Sequence, residues 1–244
     1  MAQVRQTPNK TRHQAARKPL GAAVVALAAW AAVGAVPPAA AAQPCPDVEV
    51  IFARGTGEPP GVGGTGGAFV DALRAQVGGR SVGVYPVNYP AGDNFADRTV
   101  FASTVVDGIR DAGTRVQTMA ASCPDTRLVL GGYSQGAVVA GFVTSAEVPA
   151  GVPAESVPAP LPAEVADHVA AVVLFATPSA EFLRQFAAPA VVIGPRYADK
   201  TLQLCAPGDS ICSGAAGGGP NPAHVFYTFN GAATEGAAYA AARV

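Results

Sequence analysis

A serine stands between two glycines in Gly132-Tyr133-Ser134-Gln135-Gly136, after the run Arg127 to Gly131 and ahead of the small apolar residues Ala137 to Val139. A β-prone run that turns through glycine and serine into a helix has the pattern of the G-x-S-x-G elbow, which holds a serine hydroxyl clear of the backbone for nucleophilic attack. The glycines suit so sharp a bend because a Cβ there would collide with the neighbouring strand or helix. The helix that follows points its free N–H groups at the serine, where they can stabilise an oxyanion. The competing reading is an ordinary βα turn. What separates the two is whether the chain also supplies a base, an orienting acid and an oxyanion hole.

The base has few candidates, because the chain holds only His13, His168 and His224. Sites in an open parallel sheet form at the carboxyl ends of the strands. His168 precedes the apolar run Ala170 to Ala176 and so belongs at the opposite end, as a solvated residue at a strand entrance. His224 follows the last expected strand, Thr201 to Leu204, and precedes the final helix, which makes it the expected base. Asp167 shares the wrong end with His168, and Asp199 comes before the last strand. Asp209 follows that strand within Cys205-Ala206-Pro207-Gly208-Asp209-Ser210-Ile211-Cys212, a loop that a disulfide would hold rigid. A carboxylate that orients an imidazole benefits from such a rigid loop, although Gly-Asp is also a common turn. The order Ser134, Asp209, His224 is that of an α/β hydrolase. For the oxyanion hole the Gln135 N–H follows the serine, and Arg54-Gly55-Thr56, leaving the first strand, offers the Thr56 N–H and its hydroxyl. A plain glycine turn is the alternative there.

The elements that must position these groups alternate along the chain. Val48 to Ala53 reads as a strand, Ala68 to Leu73 as part of a helix, Ser81 to Tyr89 as a strand, and Phe95 to Ala121 as a long helix with apolar residues at helical intervals. The serine strand and its helix follow. Val148 to Pro162 is rich in proline and reads as an irregular surface excursion. Ala170 to Ala176 is continuously apolar, as in a strand covered on both faces. From Ala223 onward the chain reads as helical, interrupted near Gly231 and Gly236. Strands alternating with helices imply a parallel sheet flanked by helices. Gly61-Val62-Gly63-Gly64-Thr65-Gly66 formally matches a dinucleotide fingerprint, but it does not follow directly on a strand and no acidic residue closes the second strand; a flexible loop lining the site is the reading here.

Residues 1–42 have the makeup of a secretory signal peptide: five basic and no acidic residues, the uncharged run Leu20 to Val36, then Ala40-Ala41-Ala42 as a cleavage site. The alternative is an uncleaved anchor; no later run is apolar enough to span a bilayer. Residues 43–244 are then a single catalytic domain. Removing the leader leaves 11 basic against 17 acidic residues, a net charge of about −6, which argues against a nucleic-acid partner. Four cysteines in an exported chain read as two disulfides with three possible pairings. Cys205 and Cys212 are near in sequence. Cys45 and Cys123 come to one sheet edge if their strands are parallel neighbours, so 45–123 with 205–212 is the preferred pairing. No spacing suggests a metal.

Taken together, Cys45-Pro46-Asp47, Ile51 to Thr56, Gly132 to Ala137, Cys205 to Cys212 and His224 with Tyr227 resemble the cutinase family of serine esterases, in its actinobacterial branch. The resemblance covers nearly all of the chain after the leader. It implies an α/β-hydrolase fold, a three-layer sandwich around a five-stranded parallel sheet with no large lid. It assigns Ser134 as nucleophile, His224 as base, Asp209 as orienting acid and Thr56 with Gln135 as oxyanion hole, with no cofactor. With the leader, the expectation is a secreted enzyme, associated with the cell envelope or free, and a monomer. Its substrates would be short- or medium-chain esters, lipid-like esters or polyesters, met at a lipid or polymer surface. Phospholipase, thioesterase or acetylesterase activity with the same triad, and a catalytically silent lipid-binding protein, are the alternatives. Ala176 departs from the family by standing where glycine is frequent, and the Val148–Pro162 excursion is longer than usual.

Overall fold

The structure, a computed structural model, describes residues 44–244; the segment read as a leader lies outside them. Five strands, β1 (Val48–Ala53), β2 (Val82–Pro86), β3 (Arg127–Tyr133), β4 (Val169–Phe175) and β5 (Thr201–Leu204), form one parallel sheet in the order β2-β1-β3-β4-β5. The chain steps from β1 outward to β2 and then returns to the other side of β1 for β3. The gap between the carboxyl ends of β1 and β3 is therefore the switch point, where such sheets open a crevice.

The helices are α1 (Gly63–Gln76), α2 (Arg98–Ser122), α3 (Gln135–Val143), α4 (Ala180–Arg184), α5 (Pro195–Ala198), α6 (Pro222–Val225) and α7 (Ala232–Ala241). Strand alternation divides the core into two layers. Ile51, Ala53, Leu128, Leu130, Val172 and Leu174 face α2 and α3. Val50, Phe52, Val129, Ala171, Val173 and Phe175 face α1 and α7. Covering both faces is what makes β1 and β4 buried at every position. The rings of Phe52, Phe69 and Phe175 meet at 5.6–6.1 Å between centroids and knit strand to helix. One charge enters the α2 layer: Glu49, nearly inaccessible to water, is held by Arg115 at 2.7 and 2.5 Å.

Four details differ from the sequence reading. The glycine-rich stretch is not a flexible loop, because α1 begins at Gly63; Gly66 lies under the Phe52 ring, where a Cβ would come within 2.7 Å of it. Helix α7 runs unbroken through Gly236, and again a Cβ would meet Phe175 and Val173 at 2.8 Å. In both places glycine makes room for packing rather than ending a helix. Helix α2 starts at Arg98, since the Asp97 carboxylate caps it by accepting from the Thr99 and Val100 amides. Strand β2 stops at Pro86, before Tyr89. The 148–162 excursion is irregular apart from a 3-10 turn at Ala154–Ser156.

Bridges join Cys45 to Cys123 and Cys205 to Cys212. The first ties the residues ahead of β1 to the end of α2, below the amino ends of β1 and β3. Among the described residues no helix is long and apolar enough to cross a membrane. The 45–123 bridge closes a loop of 78 residues, so replacing both cysteines by serine is expected to lower the unfolding free energy by about 4 kcal/mol. Urea unfolding followed by circular dichroism measures that loss; an unchanged midpoint would show that the bridge constrains little.

Candidate active site

The backbone at the elbow is packed to the limit. Ser134 sits at φ 54°, ψ −116°, a left-handed region that an L residue enters only under constraint. A Cβ on Gly132 would lie 2.1 Å from the Gly136 carbonyl oxygen, and one on Gly136 would lie 2.0 Å from that of Ala53. Both glycines are thus required by backbone-to-backbone approach. The Ser134 N–H donates to Phe175 O and its carbonyl receives the Ala137 and Val138 amides, which fixes the turn from both sides.

The hydroxyl Oγ of Ser134 is 2.9 Å from His224 Nε2. On the other side of the ring, Nδ1 is 2.9 Å from Asp209 Oδ2 and 3.1 Å from Oδ1. Asp209 has no exposure to solvent, and an unpaired charge there would be costly. Three donors meet it: the imidazole, the Ile211 N–H to Oδ1 at 3.0 Å and the Tyr227 hydroxyl to Oδ2 at 2.8 Å. The Tyr227 oxygen in turn accepts from the Ala206 N–H at 2.7 Å. Burial first, and the neighbouring Asp209 carboxylate with it, push the Tyr227 phenol above its ordinary range, so it remains a donor at neutral pH.

Position is enforced from two further directions. Asn221 caps α6 by accepting from the His224 N–H at 3.1 Å, while its amide donates to Gly208 O and Ser210 Oγ. One side chain thereby joins the loop that carries the aspartate to the helix that carries the histidine. The Tyr133 hydroxyl donates to the His224 carbonyl at 2.5 Å, so the residue before the serine reaches across to the histidine's backbone.

Thr56, on the loop leaving β1, lines the same groove as Ser134 and His224. Buried Arg54 holds that loop by donating to Glu58 O, Tyr89 O and Pro90 O. The Glu58 carboxylate accepts the Gly55 and Gly64 amides at 2.6 and 2.8 Å. Among the described residues neither the Thr56 nor the Gln135 N–H donates to a protein acceptor, so both are available to a ligand oxygen. The Gln135 side chain anchors to Gly92 O instead.

The three distant residues singled out as triad members are thus brought together, with Thr56 and Gln135 alongside. His168 ends a 3-10 turn ahead of β4, its Nδ1 near Pro124 O, and Asp167 and Asp199 lie exposed before β4 and β5. Glu58, Asn221 and the buried hydrogen bond of Tyr227 were not found by sequence reasoning. Asn221 alone left a signal, as an Asn-Pro pair that begins three residues before the histidine.

The profile of the cutinase family matches residues 44–244. A probable carboxylesterase, Culp7, of Mycobacterium tuberculosis is 60% identical over 171 residues, covering 70% of this chain and 89% of its own. The phospholipase Culp4 of the same organism is 43% identical over 177 residues, covering 72% and 70%. Among solved structures, Trichoderma reesei cutinase in complex with a C11Y4 phosphonate inhibitor superposes with a TM-score of 0.60 at 33% identity, covering 81% of this chain and 76% of that one.

Tyr227→Phe keeps the ring and removes the hydroxyl, leaving the Asp209 oxygen and the Ala206 amide each without that partner. The expected loss is about 1–3 kcal/mol of stability, read from urea unfolding; a neutral result would mean that water replaces the phenol.

Proposed function

The chain belongs to the cutinase family and is a carboxylic-ester hydrolase, and from that premise we propose that Ser134 is its nucleophile, His224 its general base and Asp209 the acid that orients the imidazole. The observation that carries the assignment is the unbroken contact from Ser134 Oγ through His224 to a carboxylate shut off from water. His224 Nε2 takes the hydroxyl proton as Oγ bonds to the ester carbonyl carbon. The tetrahedral oxyanion is met by the Gln135 and Thr56 N–H groups, aimed at charge that exists only after attack. His224 returns the proton to the departing alcohol. Water, deprotonated by the same ring, then cleaves the acyl-enzyme and frees the acid. Asp209 stabilises the imidazolium through both steps.

The same reading extends to setting. Residues 1–42 act as an export signal, and 43–244 work as a monomeric catalytic domain outside the cytoplasm, in keeping with two disulfides. Val225, Phe226 and Phe229, on the segment that follows His224, expose 58, 52 and 82% of their surface. Such a rim suits contact with a lipid or polymer surface carrying the ester. Phospholipid is a second substrate reading, favoured by this apolar rim and by the similarity to a relative named a phospholipase.

Two outcomes test this. On p-nitrophenyl butyrate, Ser134→Ala and His224→Ala are each expected to lower turnover by at least about 10⁴-fold, while His168→Ala stays within twofold of the parent; covalent capture by an alkyl phosphonate should map to Ser134. Loss of activity in His168→Ala with retention in His224→Ala would overturn the assignment. Phe229→Ser is expected to weaken sedimentation with phosphatidylcholine vesicles severalfold without slowing hydrolysis of the soluble ester. Equal sedimentation would remove the surface role.

A further inference from the structure

Ser134, His224 and Thr56 open into a groove of about 1060 Å³ whose far wall is the 148–161 excursion. Helix α2 lines it with the apolar Ala102, Val106, Ile109 and Gly113, and with Asp107 and Arg110 among its polar residues. Steps of three and four residues put the apolar four on one side of the helix. Opposite them stand Val148, Val152, Val157 and Leu161. A Cβ on Gly113 would come within 3.6 Å of Leu161, so the two walls close on each other there.

The direction of the groove follows from the two ends of α2. Arg98, at its start, donates to Gln185 O beyond α4, on the segment following β4, and therefore lies at the serine end of the sheet. Its last residue, Ser122, adjoins the 45–123 bridge at the opposite end. The rings of Phe95, Phe101 and Phe186 stand together at the upper end, 4.7–6.3 Å apart, and Phe182 packs on Phe186. From Arg98 to Gly113, where the walls meet, the helix rises about 22 Å at 1.5 Å per residue. An extended chain advances about 1.2 Å per bond, given about 3.6 Å for the three bonds of a residue. About 18 bonds therefore fit along the flank, against about 8 for an octanoyl group. Val106, Ile109, Val152, Val157 and Leu161 are all half-buried with apolar side chains turned to this space, a surface that gains by covering hydrocarbon.

We propose that the groove seats a long, unbranched acyl chain of about sixteen carbons or more, so that the enzyme selects long-chain esters over medium-chain ones. The acyl half is assigned because it stays bonded to Ser134 through the acyl-enzyme, whereas the alcohol half leaves after the first step. This rests on the esterase reading above and departs from the short- or medium-chain esters that the family resemblance implies. Each methylene that leaves water for the groove adds at most about fourfold to kcat/KM.

The test is kcat/KM for p-nitrophenyl butyrate, octanoate and palmitate in a fixed excess of neutral detergent. It compares the parent with Val106→Trp and Val157→Trp, one block on each wall at half-buried positions outside the main core clusters, and with Val106→Ala, which leaves the path open. Support requires palmitate to match or exceed octanoate in the parent and in Val106→Ala, and the palmitate-to-octanoate ratio to fall tenfold or more in at least one tryptophan variant that melts within a few degrees of the parent. Any other pattern overturns the proposal, including a ratio that tryptophan does not move, which would leave the groove to the alcohol half or to no part of the substrate. Butyrate turnover by the parent stands apart: its absence would strike the esterase reading itself.

Discussion

A carboxylate closed off from water is the constraint on which the site depends. Asp209 can stay charged only while donors surround it, and those donors are an imidazole, a phenol and a backbone amide held by a disulfide-closed loop. Each donor is itself fixed by something else. The imidazole is held through its backbone by Asn221 and Tyr133, and the phenol by the Ala206 amide. The histidine therefore has little freedom to rotate away from the serine. Satisfying one buried charge and aiming one ring are the same structural task.

The serine is controlled differently, by backbone rather than by charge. Strands β1 and β3 run side by side with Ala53 opposite Gly132, and α3 leaves so steeply that Gly136 almost touches the Ala53 carbonyl. The loop leaving β1 is consequently brought against the first turn of α3. The oxyanion hole proposed above draws on this approach, taking its two amides from segments about 80 residues apart. Arg54 and Glu58 then tie that loop to the backbone on both sides of it.

What could be read from the chain alone follows from this difference. Backbone proximity leaves a pattern, because only glycine fits where main chains meet, and so the elbow was visible. Asp209 and His224 could be proposed by elimination, since few candidates lay beyond the carboxyl end of a strand, and the fold brings both within reach of Ser134. The sheet was visible because β4 is apolar along its whole length and β1 is so at every position but Glu49. Glu58 accepting two backbone amides and Tyr227 donating to an aspartate 18 positions away leave no spacing to recognise. Glycines 66 and 236 misled because a residue chosen to let a phenylalanine ring approach looks the same in sequence as one chosen for flexibility.

The left-handed backbone at Ser134 carries one more implication. Residues with a Cβ are held there at a cost of about 1–3 kcal/mol, and Ala176, at φ 53° in the neighbouring turn, bears a similar strain without a reactive group. The rim of the sheet is thus a loaded region, kept in place by the well-packed layers beneath it. Thermal robustness and chemical competence pull in opposite directions at this point in the molecule, and a chain selected for durability alone would have reason to discard the serine first.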